Sequence, residues 1–297
     1  MGLDGERLDT ILGTEKPAIP VVAGTILASS ERALLSSDTT FEWIHVMPIP
    51  SPLGDVVVVR AQAFGHVLLA GVRQRQHVAM VMQHFADLQC DVVLVDGALN
   101  RIAAAAPSLV DATIVACGAV AGRTVENVAD AAADFLVRFR LPVANLLLQR
   151  QLGDAADDCI AILGASGGET IRLPRYATSE AVRTAVAALA QENPLTISIP
   201  GAVADGLLLT LLALPRHLVI VARHPAQILA STSVLKRWFE RGNQMSTWTS
   251  LPVAALAVNP HHIQGYDLPE KELFAAMCRL FPDETVWNAM SGEVRWP

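Results

Sequence analysis

Apolar positions follow two rhythms along this chain. Up to residue 71 they come in short runs: "PAIPVVAG" (17–24), "TFEWIHVMPI" (40–49) and "DVVVVRAQ" (55–62), bounded by Gly, Pro and Ser. Such spacing predicts a β-rich start, with "FGHVLLAG" (64–71) returning on the 55–62 strand as a hairpin. A helix is expected from Arg73 to Leu88, with Val78, Met82 and Phe85 on one face.

From residue 91 strand-like and helix-like segments alternate. Apolar runs at 91–96, 112–117, 195–200, 217–222 and 253–258 read as buried strands. Helical stretches are expected at 124–139, 178–191, 203–213, 225–241 and 269–280. Strands separated by helices imply crossover connections. The fold class expected is α/β: a mainly parallel sheet with flanking helices, P-loop-NTPase-like or Rossmann-like, after the β-rich start. Pro142, "GDAADD" (153–158) and "GASGG" (164–168) place a boundary or an inserted hairpin near 142–178. Two halves are expected, 1–141 and 142–297. Each carries a strand ending at Gly-Ala (Gly97-Ala98, Gly201-Ala202) before a helical stretch. Similar loops on two β-α-β units account for that echo, and so does a duplicated half.

The sharpest chemical feature is "DVVLVDGALNR" (91–101), where an apolar run delivers Asp96 to a strand's carboxyl end. Open α/β sheets bind ligands at that edge, and an aspartate there often holds Mg²⁺ beside a phosphate loop. Helix or turn capping explains it equally well. The G-x-x-x-x-G-K-[ST] loop is missing, because Lys16, Lys236 and Lys271 are the chain's lysines and none follows a glycine. The same strand-end logic selects Gly97, Gly118, Gly201, Arg223 and Asn259. A ligand-binding cleft is expected where these residues meet. Arg101 and Arg223 would supply guanidinium charge for a phosphate.

Other motifs reduce to local structure. Gly164-Ala165-Ser166-Gly167-Gly168 matches G-x-S-x-G, but "ETIRLP" after it reads as a strand, which makes a hairpin turn and not a nucleophile elbow. His261, His262 and Asp267 in "NPHHIQGYD" read as a polar loop, since adjacent histidines point apart and zinc prefers spaced ligands. Cys90, Cys117, Cys159 and Cys278 form no C-x-x-C, and the first three lie in or beside apolar strands as buried thiols. No D-x-H-x-x-G cobalamin-ligand motif occurs.

Composition narrows the class. A net charge of −7 offers no basic stripe for nucleic acid. The most apolar stretch, 202–222, is interrupted by Asp205 and by Pro215-Arg216-His217, so no block spans the ~30 Å hydrocarbon layer. The N-terminus lacks a signal-peptide core, and Glu6 stands where a myristoylation signal wants Ser or Thr. A cytoplasmic protein is expected. A hydrophobic fraction of 52% and a mean hydropathy of +0.38 favour a homo-oligomer that covers apolar surface.

Several phrases occur in a telling order. They are "GLDGERLD" (2–9), "KPAI" (16–19), "GTILAS" (24–29), "SPLGDVVVVRA" (51–61), "VDGALNR" (95–101), Pro107, "DATIVACGA" (111–119), "IPGAVAD" (199–205), "VIVARHPAQI" (219–228) and "LAVNPHHIQGYD" (256–267). This series resembles the reactivase subunit that accompanies adenosylcobalamin-dependent lysine 5,6-aminomutase and related aminomutases. The similarity covers nearly the whole chain. It implies a cytoplasmic accessory protein that helps exchange damaged cobalamin, with the aminomutase and a separate reactivase ATPase subunit as partners. It further implies ATP and Mg²⁺ as cofactors, with Asp96 toward the metal and Asp4 of the "DGE" phrase joining the site. The family carries a GKT-type loop a few tens of residues before that phrase. This sequence starts at "MGLDGE", so either the start falls inside a longer gene or this member has lost the loop. The family's "DGALDR" is here "DGALNR", with Asn100 replacing a carboxylate. The alternatives are an ATP-dependent ligase or amidotransferase of the dethiobiotin-synthetase kind, for which "VDGA" speaks, and a non-catalytic α/β scaffold.

Overall fold

The strand-helix alternation is realised, but the sheets it builds are mixed. The computed structural model describes residues 18–72, 74–96, 107–145, 148, 158–164, 170–189, 194–262 and 265–297. The chain divides into two compact units, Met1–Ala104 and Ala105–Pro297.

Among the described residues of the first unit every ladder is antiparallel. Strands β2 (Ile26–Ser30), β3 (Phe41–Val46) and β4 (Val56–Ala61) form a three-stranded sheet in the order β2-β4-β3. Four consecutive valines make β4 the centre, and Val56 to Val59 are all fully buried. A one-turn helix α1 (Glu31–Leu35) follows β2, and α2 (Arg75–Asp87) buries Val78, Val81 and Phe85. The expected return of "FGHVLLAG" on the 55–62 strand is corrected. β5 (Gly65–Val67) pairs instead with β1 (Ile19–Val21), because both long sides of β4 are taken. Asp38 fixes that detour, its carboxylate accepting the His66 backbone N–H and lying 3.1 Å from the His66 ring.

The second unit nests one sheet inside another. Its outer sheet is β6 (Thr113–Gly118), β12 (Val253–Asn259), β13 (Val286–Asn288) and β14 (Val294–Arg295), in the order β14-β13-β12-β6. β6, β12 and β13 run parallel, and β14 turns back antiparallel. Helices α3 (Val125–Leu136) and α7 (Glu270–Leu280) pack on it through Val128, Leu136, Leu273 and Met277, above Val115, Leu256 and Val258. Thr124 caps α3 by accepting from the Asn127 N–H, which stops the helix from fraying at the sheet edge.

Between β6 and β12 the chain makes a second sheet, β11-β10-β9-β7-β8. β9 (Leu195–Ile199), α5 (Asp205–Leu212), β10 (Leu218–Ala222), α6 (Thr232–Glu240) and β11 (Gln244–Thr247) form two successive parallel crossovers. β7 (Cys159–Leu163) and β8 (Thr170–Pro174) are the hairpin expected within 142–178, and β7 meets β9 antiparallel. Helix α4 (Ser179–Ala188), capped by Thr178, completes this layer. Entry and exit of the insertion touch: Ala144 N–H donates to Thr247 O at 2.7 Å, and Thr247 N–H donates to Pro142 O at 3.0 Å.

The expected mainly parallel, Rossmann-like sheet is therefore corrected to a mixed α/β arrangement. Among the described residues the parallel ladders are β9-β10-β11 and β6-β12-β13, with isolated parallel bridges at Val143–Thr247 and Val203–Ile228. The β7-β8, β7-β9 and β13-β14 pairs and the ladders of the first unit are antiparallel. The strand expected at 91–96 is also corrected. Those residues form no ladder, and Val92 and Leu94 are 75% and 81% exposed.

Trp238 on α6 is fully buried in the inner core and donates its indole N–H to Gln244 O at 3.1 Å. Replacing Trp238 by Ala removes the largest core side chain and should cost about 3–5 kcal/mol. Trp238→Phe keeps most of the packing and should cost about 1–2 kcal/mol, mainly the lost hydrogen bond. Urea titration followed by circular dichroism measures both, and equal midpoints for the two variants would contradict this account.

Candidate functional site

The outer sheet brings two of the expected residues together. Gly118 ends β6 and pairs in register with Asn259, which ends β12. A Cβ on Gly118 would lie 1.9 Å from the Asn259 carbonyl oxygen, so only glycine allows the strands to close at this edge. The Asn259 side-chain oxygen accepts the His261 N–H at 2.9 Å. His261 Nδ1 lies 2.6 Å from Asp267 Oδ1, while His262 stacks on Tyr266 with ring centroids 4.3 Å apart. The adjacent histidines thus face different partners, as the loop reading expects. Tyr266 donates its hydroxyl to Ala119 O at 3.0 Å, tying this loop to the end of β6.

One more residue belongs to this edge and had no clear sequence signal. Asn288 ends β13, is 2% exposed, and accepts the backbone N–H groups of Met290 and Ser291. Its amide donates to Glu270 Oε1 at 2.8 Å. The same side-chain turn appears at Asn259 and Asn288, a local device by which asparagine ends a strand. Cys117, one residue before Gly118, donates its thiol to Ala257 O at 3.7 Å. Burial pushes that thiol up from 9.0 to about 12, because a thiolate would be stripped of water. A thiol held protonated in this way serves packing and is a poor nucleophile at neutral pH.

The inner sheet brings together the other pair. Gly201 follows β9 and Arg223 follows β10, on adjacent parallel strands. Gln227 joins the two strand ends: its side-chain oxygen accepts the Arg223 N–H at 3.1 Å, and its amide donates to Pro200 O at 3.2 Å. The Arg223 carbonyl accepts from both the backbone N–H and the hydroxyl of Thr249. Beside Gly201 opens a cavity of about 260 Å³. Ile160, Val182, Ile199 and Leu207 form its apolar floor, with Arg175, Tyr176 and Ser179 at its rim. The rim residues come from the turn between β8 and α4, which carries no recognisable motif.

Asp96 lies in the first unit on the exposed 91–96 segment, so the carboxyl end of a strand is not its setting. Asp4, Gly97 and Arg101 lie outside the described residues, as does most of the G-x-S-x-G stretch. Among the described residues, no three His, Cys, Asp or Glu side chains converge as metal ligands, and no helix is long and apolar enough to cross a membrane. No protein-family model, curated protein or solved structure matches the chain.

The state of Cys117 is testable by pH. Its folded value lies above its unfolded value, so the native state holds the proton longer. The stabilisation is present below pH 9.0 and is lost as pH rises towards about 12. Stability of the parent protein should fall more steeply over that window than stability of Cys117→Ala. Native Cys117 should also resist iodoacetamide until the protein is unfolded, and alkylation of the folded protein at neutral pH would contradict its burial.

Proposed function

We propose that this chain is an accessory protein of the reactivase type in a cobalamin-dependent aminomutase system. The observation that carries the reading is the ordered series of phrases from "GLDGERLD" to "LAVNPHHIQGYD", which spans both units. The parallel crossovers are consistent with it, since they set Gly201 near Arg223 at adjacent strand ends, where α/β proteins hold ligands.

In this reading the nucleotide chemistry belongs to a separate ATPase subunit. The residues described here do not fit a triphosphate with Mg²⁺. Catalysis of phosphoryl transfer requires a backbone N–H cradle and a cation on the β- and γ-phosphates. Lys236 lies on α6 and forms an ion pair with Asp134 at 2.9 Å, and Lys271 lies in the first turn of α7. Neither follows a glycine. The chain's part is then to contact the aminomutase while its partner supplies nucleotide energy.

Reconstitution tests this directly. An aminomutase inactivated with damaged cobalamin is incubated with adenosylcobalamin, ATP, Mg²⁺ and the ATPase subunit, with and without this chain. Recovery of activity is expected only when the chain is present. Phosphate release by the chain alone should stay at buffer background. Recovery without the chain, or hydrolysis by the chain alone that Asp96→Ala abolishes, would overturn the reading.

A further inference from the structure

The cavity beside Gly201 lies wholly within the second unit, and the accessory-protein reading makes no use of it. Its walls differ sharply in chemistry. One side is the apolar floor of Ile160, Val182, Ile199 and Leu207, contributed by two strands and two helices. The exposed part of the lining includes Arg175 and Tyr176, with the guanidinium carbon 6.0 Å from the ring centroid. Tyr176 is 89% exposed, a large aromatic surface that the fold itself leaves open. The remaining side is backbone: a Cβ built on Gly201 would meet nothing within 4 Å, so the main chain there faces open space.

Size selects the class of occupant. A volume of about 260 Å³ equals the liquid volume of roughly nine waters and lies just below the roughly 300–1,000 Å³ range of sites for drug-sized ligands. A nucleoside triphosphate or a corrinoid exceeds it, whereas a single ring with one acidic group fits. Charge selects the end group. Arg175 offers a planar fork of donors suited to a carboxylate or phosphate, and Ser179 adds a hydroxyl at the same rim.

We propose that this cavity binds a small organic anion. Its apolar, ring-sized body would rest on Val182 and Leu207 under Tyr176, and its carboxylate or phosphate would be held by Arg175. Arg175 and Tyr176 follow directly on the paired strand β8 and precede the Thr178-capped start of α4.

The test uses the full chain alone, so its result is independent of any aminomutase. Benzoate and phenyl phosphate serve as carboxylate and phosphate probes, with benzyl alcohol as the neutral body and inorganic phosphate as the bare anion, all read by isothermal titration calorimetry. At least one ring-bearing anion should bind saturably, and which one binds distinguishes the two end groups. Benzyl alcohol and inorganic phosphate should each bind at least about tenfold more weakly, since each lacks one half of the recognition. Arg175→Gln should weaken the anion about tenfold or more. Gly201→Leu, which fills the cavity from an open backbone position, should abolish binding. Thermal unfolding at the parental temperature certifies both variants, and the exposed Tyr176→Ala, expected to weaken binding about threefold or more, replaces either one that misfolds. Absence of saturable binding by both anions, equal binding of a control probe, or parental affinity in a folded variant would overturn the proposal.

Discussion

The second unit depends on a parallel pairing between β6 and β12, two strands separated in sequence by an entire five-stranded sheet. Closing such a long loop costs chain entropy before any ladder hydrogen bond forms. Two features reduce that cost. The insertion has a core of its own, with Ile197, Leu208, Leu211, Ile220 and Trp238 almost wholly buried, so its packing does not rely on the outer strands. Its ends are also stitched together by the Ala144–Thr247 and Thr247–Pro142 hydrogen bonds. The effective loop between β6 and β12 is thereby short. What remains is the approach of the two strands, and the absence of a side chain at Gly118 permits it. The buried Arg138 then locks insertion to frame. Its guanidinium stacks on Phe135 at 4.7 Å and donates to Ile228 O at 3.2 Å, with the Lys236–Asp134 pair alongside.

Legibility in the sequence follows burial. β9, β10 and the buried second half of β12 were readable because covered strands become continuous apolar runs, and helices α3 and α4 fall within the stretches expected at 124–139 and 178–191. Strand direction was not readable. "CIAIL" looks the same whether it runs parallel or antiparallel to its neighbour, and only the glycine-rich turn after it hinted at reversal. β11, read out as Gln-Met-Ser-Thr, is buried by its neighbours despite polar residues, and β13 and β14 are too short to show any period. The 91–96 run fails in the opposite way. Its composition is that of a buried strand, yet a strand exists only when ladder partners are supplied, and composition does not report them.

Site residues divide along the same line. The strand-end rule located Gly118, Asn259, Gly201 and Arg223, since the ends of readable strands are readable too. The residues that give each edge its character come from segments without a motif. Asn288 ends a three-residue strand and Tyr266 lies in a polar loop, and Arg175 and Tyr176 sit in a turn of ordinary composition. Their importance arises from where the chain brings them, a tertiary fact that local spacing does not encode.

The two carboxyl edges, built from similar crossovers, therefore differ in what they are free to do. At the outer sheet the polar groups satisfy one another: Asn259 holds the His261 amide, His261 meets Asp267, Tyr266 reaches Ala119, and Asn288 binds Glu270 and its own turn. A ligand there would have to compete with hydrogen bonds already made, several of them part-buried. At the inner sheet Gln227 fixes the strand ends from within, leaving the outward side of Gly201 bare. Stability is concentrated where the fold must close on itself, and open backbone is left where it need not. That asymmetry, more than any motif, marks the inner edge as the place where this protein meets a small molecule.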